Sequence, residues 1–386
     1  MFHIADFDDI KKGKITDVYF ERSMEILRAK RINKHVRAEF IAKEFPGESE
    51  WGVLAGLEEA GEILKGLGVN VRAMPEGTVF KTNEPVMEIE GPYQSFGRFE
   101  TTLLGLMCQA SGIATKAARC KRKAGKKKIV SFGARRMHPA LAPMIERNAF
   151  MGGCDGVAVI QSAELIEEEA TGTMPHAMIL LFGNMIDAAK AFDEIIDPSI
   201  KRVVLVDTFG DEKFEAIAAA EALGNKLYAI RLDTPSSRRG DFLKIIKEVR
   251  WELDVRGFQK VRIFVSGGID EGDIERLNPW VDAYGIGTVI SNAPVIDFSM
   301  DIIEVDGKPL SKRGKMSGAK QVISCQDCLM REIIPLSTSK PVHCRSCQSE
   351  TEPLLLSWIS SGKILSPSRK VREIRNDVLR QVQILS

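Results

Sequence analysis

Between residues 129 and 288 short β-prone runs alternate with helical stretches, and this rhythm limits the possible folds more than any other feature of the chain. Strands are expected at 129–132, 157–160, 203–206, 227–232, 261–265 and 282–285, with helices at 212–223, 241–253 and 270–277. Strand followed by helix, repeatedly, implies a parallel sheet, either doubly wound or closed as a barrel. No fixed sequence period accompanies the rhythm, which argues against a solenoid.

The polar residues cluster where these strands end. The first ends in Phe132-Gly133-Ala134-Arg135-Arg136, and the strand at 203 ends in Asp207-Thr208-Phe209-Gly210. The next ends in Arg231-Leu232-Asp233-Thr234, followed by Ser266-Gly267-Gly268 and Gly285-Ile286-Gly287-Thr288. In α/β barrels ligands bind at the carboxyl ends of strands, and the last two strand–helix loops often hold phosphate. Small residues in those loops let backbone N–H groups approach an anion. Arginines, two aspartates and a phosphate loop at one rim point to a phosphorylated sugar, bound with Mg2+.

One stretch outside the strands carries further chemistry. In Thr171-Gly172-Thr173-Met174-Pro175-His176 a Thr-rich turn precedes an apolar helix, with Pro175 expected at its first position and His176 in its first turn. The positive end of a helix favours a neutral, nucleophilic imidazole, and Thr173 and free N–H groups suit an anion. His3, His35 and His138 have no comparable setting.

A chain of 386 residues has room for two or three domains, and 44% hydrophobic with 28% charged residues is ordinary for a globular protein. A net charge of +1 gives no global attraction to nucleic acid or anionic lipid, so any polyanion is expected to be small and held locally. The basic run at 121–128 reads as a solvated loop face. The start of the chain lacks a signal-peptide pattern and its longest apolar run, 177–182, is too short to span a bilayer, so the expected location is cytoplasmic, with no membrane partner. Four of seven cysteines form two CxxC pairs, Cys325 with Cys328 and Cys344 with Cys347, separated by residues 329–343. That spacing suits a four-thiolate structural Zn2+ site that leaves no position for substrate.

In order along the chain, these motifs resemble the nicotinate phosphoribosyltransferases of the type II phosphoribosyltransferase group. Asp17-Val18-Tyr19, Pro75-Glu76-Gly77, Glu100-Thr101-Thr102-Leu103-Leu104 and Ile113-Ala114-Thr115-Lys116 resemble its N-terminal elements. The later motifs, from Phe132 to Thr288, resemble its site elements. The resemblance implies an irregular, incomplete TIM-like α/β barrel (113–295) and an N-terminal α+β sandwich domain (1–112). The C-terminal segment (296–386), with the zinc ribbon- or knuckle-like module and a terminal helix, lies outside the common family pattern and is expected from its cysteine spacing and helical periodicity alone. The resemblance further implies that Tyr19, from a neighbouring subunit, and Phe132 clamp the pyridine ring. Arg135, Arg136 and Arg231 would contact anions, Asp233 the ribose or metal, and Ser266, Gly267, Gly268, Gly287 and Thr288 the 5′-phosphate. His176, beside Thr173, would be phosphorylated when ATP hydrolysis is coupled to turnover.

The reaction so implied joins nicotinate to the phosphoribosyl group of phosphoribosyl pyrophosphate, in a homodimer or larger homo-oligomer with shared sites. Thr234-Pro235 and Pro175 depart from the family pattern, and so does Gly153-Cys154-Asp155-Gly156. An acid at Asp155 near the pyridine substituent would favour an amide, making nicotinamide one alternative substrate; quinolinate, used by another enzyme of the same fold group, is a second, disfavoured by the Gly-Thr-x-x-His element and Tyr19. A nucleic-acid-binding protein built on the cysteine module is a third, disfavoured because 325–347 contains no Phe, Trp or Tyr.

Overall fold

The computed structural model describes residues 3–47, 49–238, 240–339 and 343–385. The chain forms two compact units, one of residues 116–293 and one of residues 1–115 with 294–386.

The first of these is built on six strands: β1 (Lys128–Ser131), β2 (Gly156–Val157), β3 (Arg202–Leu205), β4 (Leu227–Leu232), β5 (Arg262–Val265) and β6 (Ala283–Ile286). Their order is β2-β1-β6-β5-β4-β3 and every neighbouring pair is parallel. That is the order of a ring in which β1 lies beside β6 and only the β2–β3 pairing is missing. The sheet is therefore the incomplete barrel expected from the sequence, opened at one seam. Helices Glu212–Leu223, Phe242–Val255 and Glu271–Leu277 follow β3, β4 and β5.

Side chains alternate across each strand, so Val130, Val203, Ala229 and Phe264 meet in one buried cluster. Residues two further along β1, β4 and β5 are Phe132, Arg231 and Ser266. The alternation thus carries three expected site residues to the carboxyl ends of the strands.

Strand β2 is shorter than expected, and Ile160 opens the helix Ile160–Leu165 instead of ending a strand. Its course is set by a buried carboxylate: Glu146 accepts hydrogen bonds from the N–H groups of Ala158 at 3.1 Å and Val159 at 3.0 Å. These bonds draw the chain off the sheet at the edge of the seam.

The amino ends of the strands are tied by a repeated device. Asp155 Oδ2 accepts from the Ile129 N–H at 2.9 Å and the Asp155 N–H donates to the Ile129 carbonyl at 2.6 Å. Asp282 brackets Ile263 in the same way, at 2.9 and 2.8 Å. Lys121 adds an ion pair to Asp155 at 2.8 Å. Asp155 therefore precedes its strand and locks the end of the sheet opposite the strand tips; it does not face a substrate there, which corrects the expectation of an acid near the pyridine.

The other unit is a seven-stranded antiparallel sheet. Its order is Lys308–Pro309, Phe298–Val305, His35–Ala42, Met87–Pro92, Asn70–Ala73, Leu356–Ser360 and Lys363–Ile364. Residues 296–386, expected to stand apart, supply four of these strands. Asp306 and Gly307, with φ of 48° and 73°, form the tight two-residue turn between Phe298–Val305 and Lys308–Pro309. A single long helix, Glu100–Ala124, runs through Gly112, which lies against the Pro294 carbonyl.

One face of this sheet packs Phe40, Met87 and Ile89 against Leu103 and Met107 of that helix. Charged side chains pair around the same strands: Arg37 bonds Glu88, Glu90 and Glu304, and Arg72 bonds Glu88. Lys320 reaches Glu39 at 2.8 Å and Arg331 reaches Glu84 at 2.7 Å, tying in the strands Lys320–Cys325 and Arg331–Pro335 of a separate three-stranded sheet. The terminal helix Val371–Ile384 buries Ile374, Val378 and Val382, and Gln381 bonds Val79 and Gly77. Among the described residues no helix is long and apolar enough to cross a membrane.

Replacing Asp155 with Ala strands the Ile129 N–H and Lys121, and should cost about 1–3 kcal/mol in urea unfolding. Selectivity between pyridine acid and amide should not change, since the side chain acts at the opposite end of the strands.

Candidate active site

The carboxyl ends of β3, β4 and β5 bring the expected residues into one hydrogen-bonded chain. Arg231, at the end of β4, is its centre. Its Nε donates to Ser266 Oγ at 2.9 Å and its Nη1 to Thr173 Oγ1 at 2.7 Å, while Nη2 lies 3.4 Å from Asp233 Oδ2. Ser266 Oγ donates in turn to Asp233 Oδ1 at 2.7 Å. The guanidinium lies over two rings, 5.0 Å from the centroid of Phe132 and 5.8 Å from that of Phe264. Phe264 was not singled out from the sequence; its place two residues before Ser266 on the same face was the available signal.

Burial lowers the Arg231 pKa, the nearby Arg135 charge acts in the same direction, and Asp233 and Asp207 oppose both. An arginine stays protonated through such a shift, so a fixed cation sits among aromatic faces and hydroxyls. Its fork is held by three partners, which fixes its direction before any anion arrives.

Asp207 links this cluster to the histidine. Its side chain is 2% exposed; Oδ1 lies 3.2 Å from His176 Nε2, and Oδ2 accepts from the Asp233 N–H at 3.0 Å. Burial raises the Asp207 pKa first, His176 works against that, and the Asp233 charge adds to it. An ionised Asp207 can only accept, so Nε2 is the donor in this contact, which in the neutral tautomer leaves the lone pair on Nδ1. His176 is the first residue of the helix His176–Phe182, and Pro175 is its cap, one position earlier than expected. These two contacts place Asp207, one of the two strand-end aspartates, within the cluster.

The two loops expected to hold phosphate differ in backbone. Gly267 and Gly268 have φ of 86° and 74°, and a Cβ on Gly267 would lie 3.0 Å from the Asp233 carbonyl oxygen. Gly287 precedes the short helix Thr288–Ser291, and Thr288 is exposed. Gly285 admits the Phe132 ring, since a Cβ there would sit 2.5 Å from it. Arg135 and Arg136, in a turn after β1, are exposed with no ion pair among the described residues. Tyr19 lies in the other unit, 56% exposed at the start of the helix Val18–Ala29. Asp17, just before it, accepts from Thr101 Oγ1 at 2.8 Å.

The four cysteines also meet. Their sulfurs lie within 4.8 Å of one another, with Sγ–Sγ distances of 3.4 Å (Cys325–Cys347), 3.6 Å (Cys328–Cys344) and 3.4 Å (Cys347–Cys328). These exceed a disulfide bond and approach the edge of a tetrahedron with metal–sulfur bonds of about 2.3 Å. The cluster can hold a metal ion.

A strand-end cluster of fixed cation, paired acids and Gly-rich loops suits transfer of a phosphorylated sugar, and sequence comparison gives the same class. The profiles described as "Quinolinate phosphoribosyl transferase, N-terminal domain" and "C-terminal domain" match residues 17–111 and 113–301. A crystal structure of nicotinate-nucleotide pyrophosphorylase from Pyrococcus furiosus is 53% identical, with a TM-score of 0.97 over 99% of this chain and 98% of that one. The chain belongs to this phosphoribosyltransferase family. Within it, the curated relatives that share its sequence are nicotinate phosphoribosyltransferases. That of Mycobacterium tuberculosis is 31% identical over 72% of this chain and 59% of its own length, and that of Bacillus subtilis 28% over 70% and 62%. The chain thus spans about three fifths of these relatives. Human nicotinic acid phosphoribosyltransferase, at 19% identity and a TM-score of 0.75 over 96% of this chain and 93% of that one, shares the fold.

The raised pKa of Asp207 means that its charge costs stability above the folded-state value, a cost that disappears as pH falls through it. Asp207→Asn should therefore melt no lower than the parent at pH 7, its relative advantage shrinking in acid. The uncharged amide can donate to Nε2, so the proton should move to Nδ1, read from 15N shifts of labelled histidine.

Proposed function

We propose that the protein transfers the phosphoribosyl group of phosphoribosyl pyrophosphate to nicotinate, giving nicotinate mononucleotide and pyrophosphate. The observation that carries this reading is the continuous chain Thr173–Arg231–Ser266–Asp233–Asp207–His176 at one sheet rim. Relatives named nicotinate phosphoribosyltransferase support the substrate. So does the position of Asp155, since the one residue that had argued for an amide is engaged with Lys121 and Ile129.

The pyridine nitrogen is already nucleophilic, so the chain's task is to align two anionic partners and stabilise a cation-like ribose. Asp233, a quarter exposed, is the carboxylate available to that ribose or to the Mg2+ that accompanies the substrate pyrophosphate. Arg231, with Arg135 and Arg136, neutralises pyrophosphate and the substrate carboxylate. Ser266, Gly267, Gly268, Gly287 and Thr288 receive the 5′-phosphate. Phe132 and Tyr19 hold the flat ring, Tyr19 from a second copy, which makes the working form at least a homodimer. His176 couples ATP hydrolysis to turnover as a phosphohistidine, its Nδ1 being the nitrogen free of Asp207. The cysteine cluster holds one structural Zn2+; four thiolates close its coordination and keep it out of the reaction.

Quinolinate is the second reading, because the matching domains are described by that name. Labelled nicotinate, nicotinamide and quinolinate, each supplied with phosphoribosyl pyrophosphate with and without ATP, separate these readings. Nicotinate should be consumed, faster with ATP. Turnover of quinolinate with CO2 release, or of the amide alone, would overturn the substrate assignment.

Arg231→Lys should lower kcat/KM by about 10- to 100-fold, the loss of a charge-assisted fork. His176→Ala should keep some transfer and lose the response to ATP. Metal analysis should find about one zinc per chain, and chelation should lower the melting temperature.

A further inference from the structure

The first turn of the helix Glu212–Leu223 holds a carboxylate that the reaction as described does not use. Glu215 is buried, and its two oxygens collect three successive backbone donors: the N–H of Thr208 on Oε2 at 3.1 Å, and those of Phe209 and Gly210 on Oε1 at 2.9 and 2.7 Å. These residues directly follow Asp207. The Thr208 hydroxyl is buried without a hydrogen-bond partner, so this residue is held through its backbone alone. Phe209 and Gly210 are exposed, and their N–H groups would be hydrated in a loop free to move. No cation pairs with Glu215 among the described residues. Desolvating a carboxylate to gather N–H groups that water could satisfy is costly, and what it secures is a fixed loop. Glu212, the first residue of the same helix, accepts from the Thr234 hydroxyl at 2.6 Å. The helix start thus grips the chain beside Asp207 and beside Asp233.

We propose that Glu215 is a positioning residue: by clamping residues 208–210 it fixes Asp207, which orients His176 through Oδ1 and the Asp233 backbone through Oδ2. The proposal rests on the transfer reaction assigned above and adds a residue that touches no reactant. Its effect should fall on turnover, because Asp207 sets the geometry of the reacting groups, while the outer contacts to the pyridine are untouched.

The test is steady-state kinetics and thermal melting of the full chain with Glu215→Ala, Glu215→Gln, Asp207→Asn and the Glu215→Gln/Asp207→Asn pair. Glu215→Ala should lower kcat by about 30-fold with the pyridine KM within about threefold. Glu215→Gln keeps an oxygen for Phe209 and Gly210 and should recover about tenfold of that loss, near the parental melting temperature. Because Glu215 acts through Asp207, the pair should be within about twofold of Asp207→Asn alone. Parental kcat in folded Glu215→Gln and Glu215→Ala proteins would overturn the proposal, as would losses that multiply in the pair. If Glu215→Ala does not fold, the Gln variant and the pair decide. Should the parent use quinolinate or nicotinamide, the same four proteins are compared on that pyridine, so the substrate assignment falls and the positioning role is still judged.

Discussion

The buried guanidinium of Arg231 is the interaction around which this site is built. A cation drawn in among strand ends must be compensated where it lies, and Thr173, Ser266, Asp233 and two aromatic faces do so. The partners come from the ends of β1, β4 and β5 and from the turn before His176, so satisfying one charge brings four segments to a common point. Asp207 extends the same logic outward, binding a side chain with one oxygen and the neighbouring backbone with the other. The acids and the histidine are positioned as a consequence of neutralising that one arginine.

Much of this was legible in the sequence, for a physical reason. Strand alternation has a period of two, so knowing that Arg231 and Ser266 end strands of a parallel sheet already places them on one rim. The CxxC pairs carried their own geometry, and the sulfurs meet as the spacing implies. Asp155 was misread because motif position says which residue follows which, not at which end of a strand it lies; only the paired bonds with Ile129 show it at the amino end. Residues 296–386 looked independent because the antiparallel partners of Phe298–Val305 and Leu356–Ser360 lie more than 250 residues earlier, beyond any local pattern.

The antiparallel unit groups its buried charges around the central strands of its sheet. Arg37 and Arg72 converge on Glu88, and Lys320 and Arg331 fasten the cysteine-bearing sheet through Glu39 and Glu84. Pairs this well buried contribute little net stability compared with apolar packing, but they permit one arrangement and penalise others. The cysteine module is therefore attached in a defined register to the same body that carries Tyr19.

The missing pairing between β2 and β3 has a mechanical side. A closed ring of strands resists any change of girth, because widening it at one place strains every neighbour. A ring with a gap can spread there without breaking a ladder bond, and the chain crossing this gap is the one that delivers Thr173 and His176. Elastic give is thus concentrated beside the segment that carries Thr173 and His176, while the paired strands that carry Arg231 and Ser266 are held by their ladders.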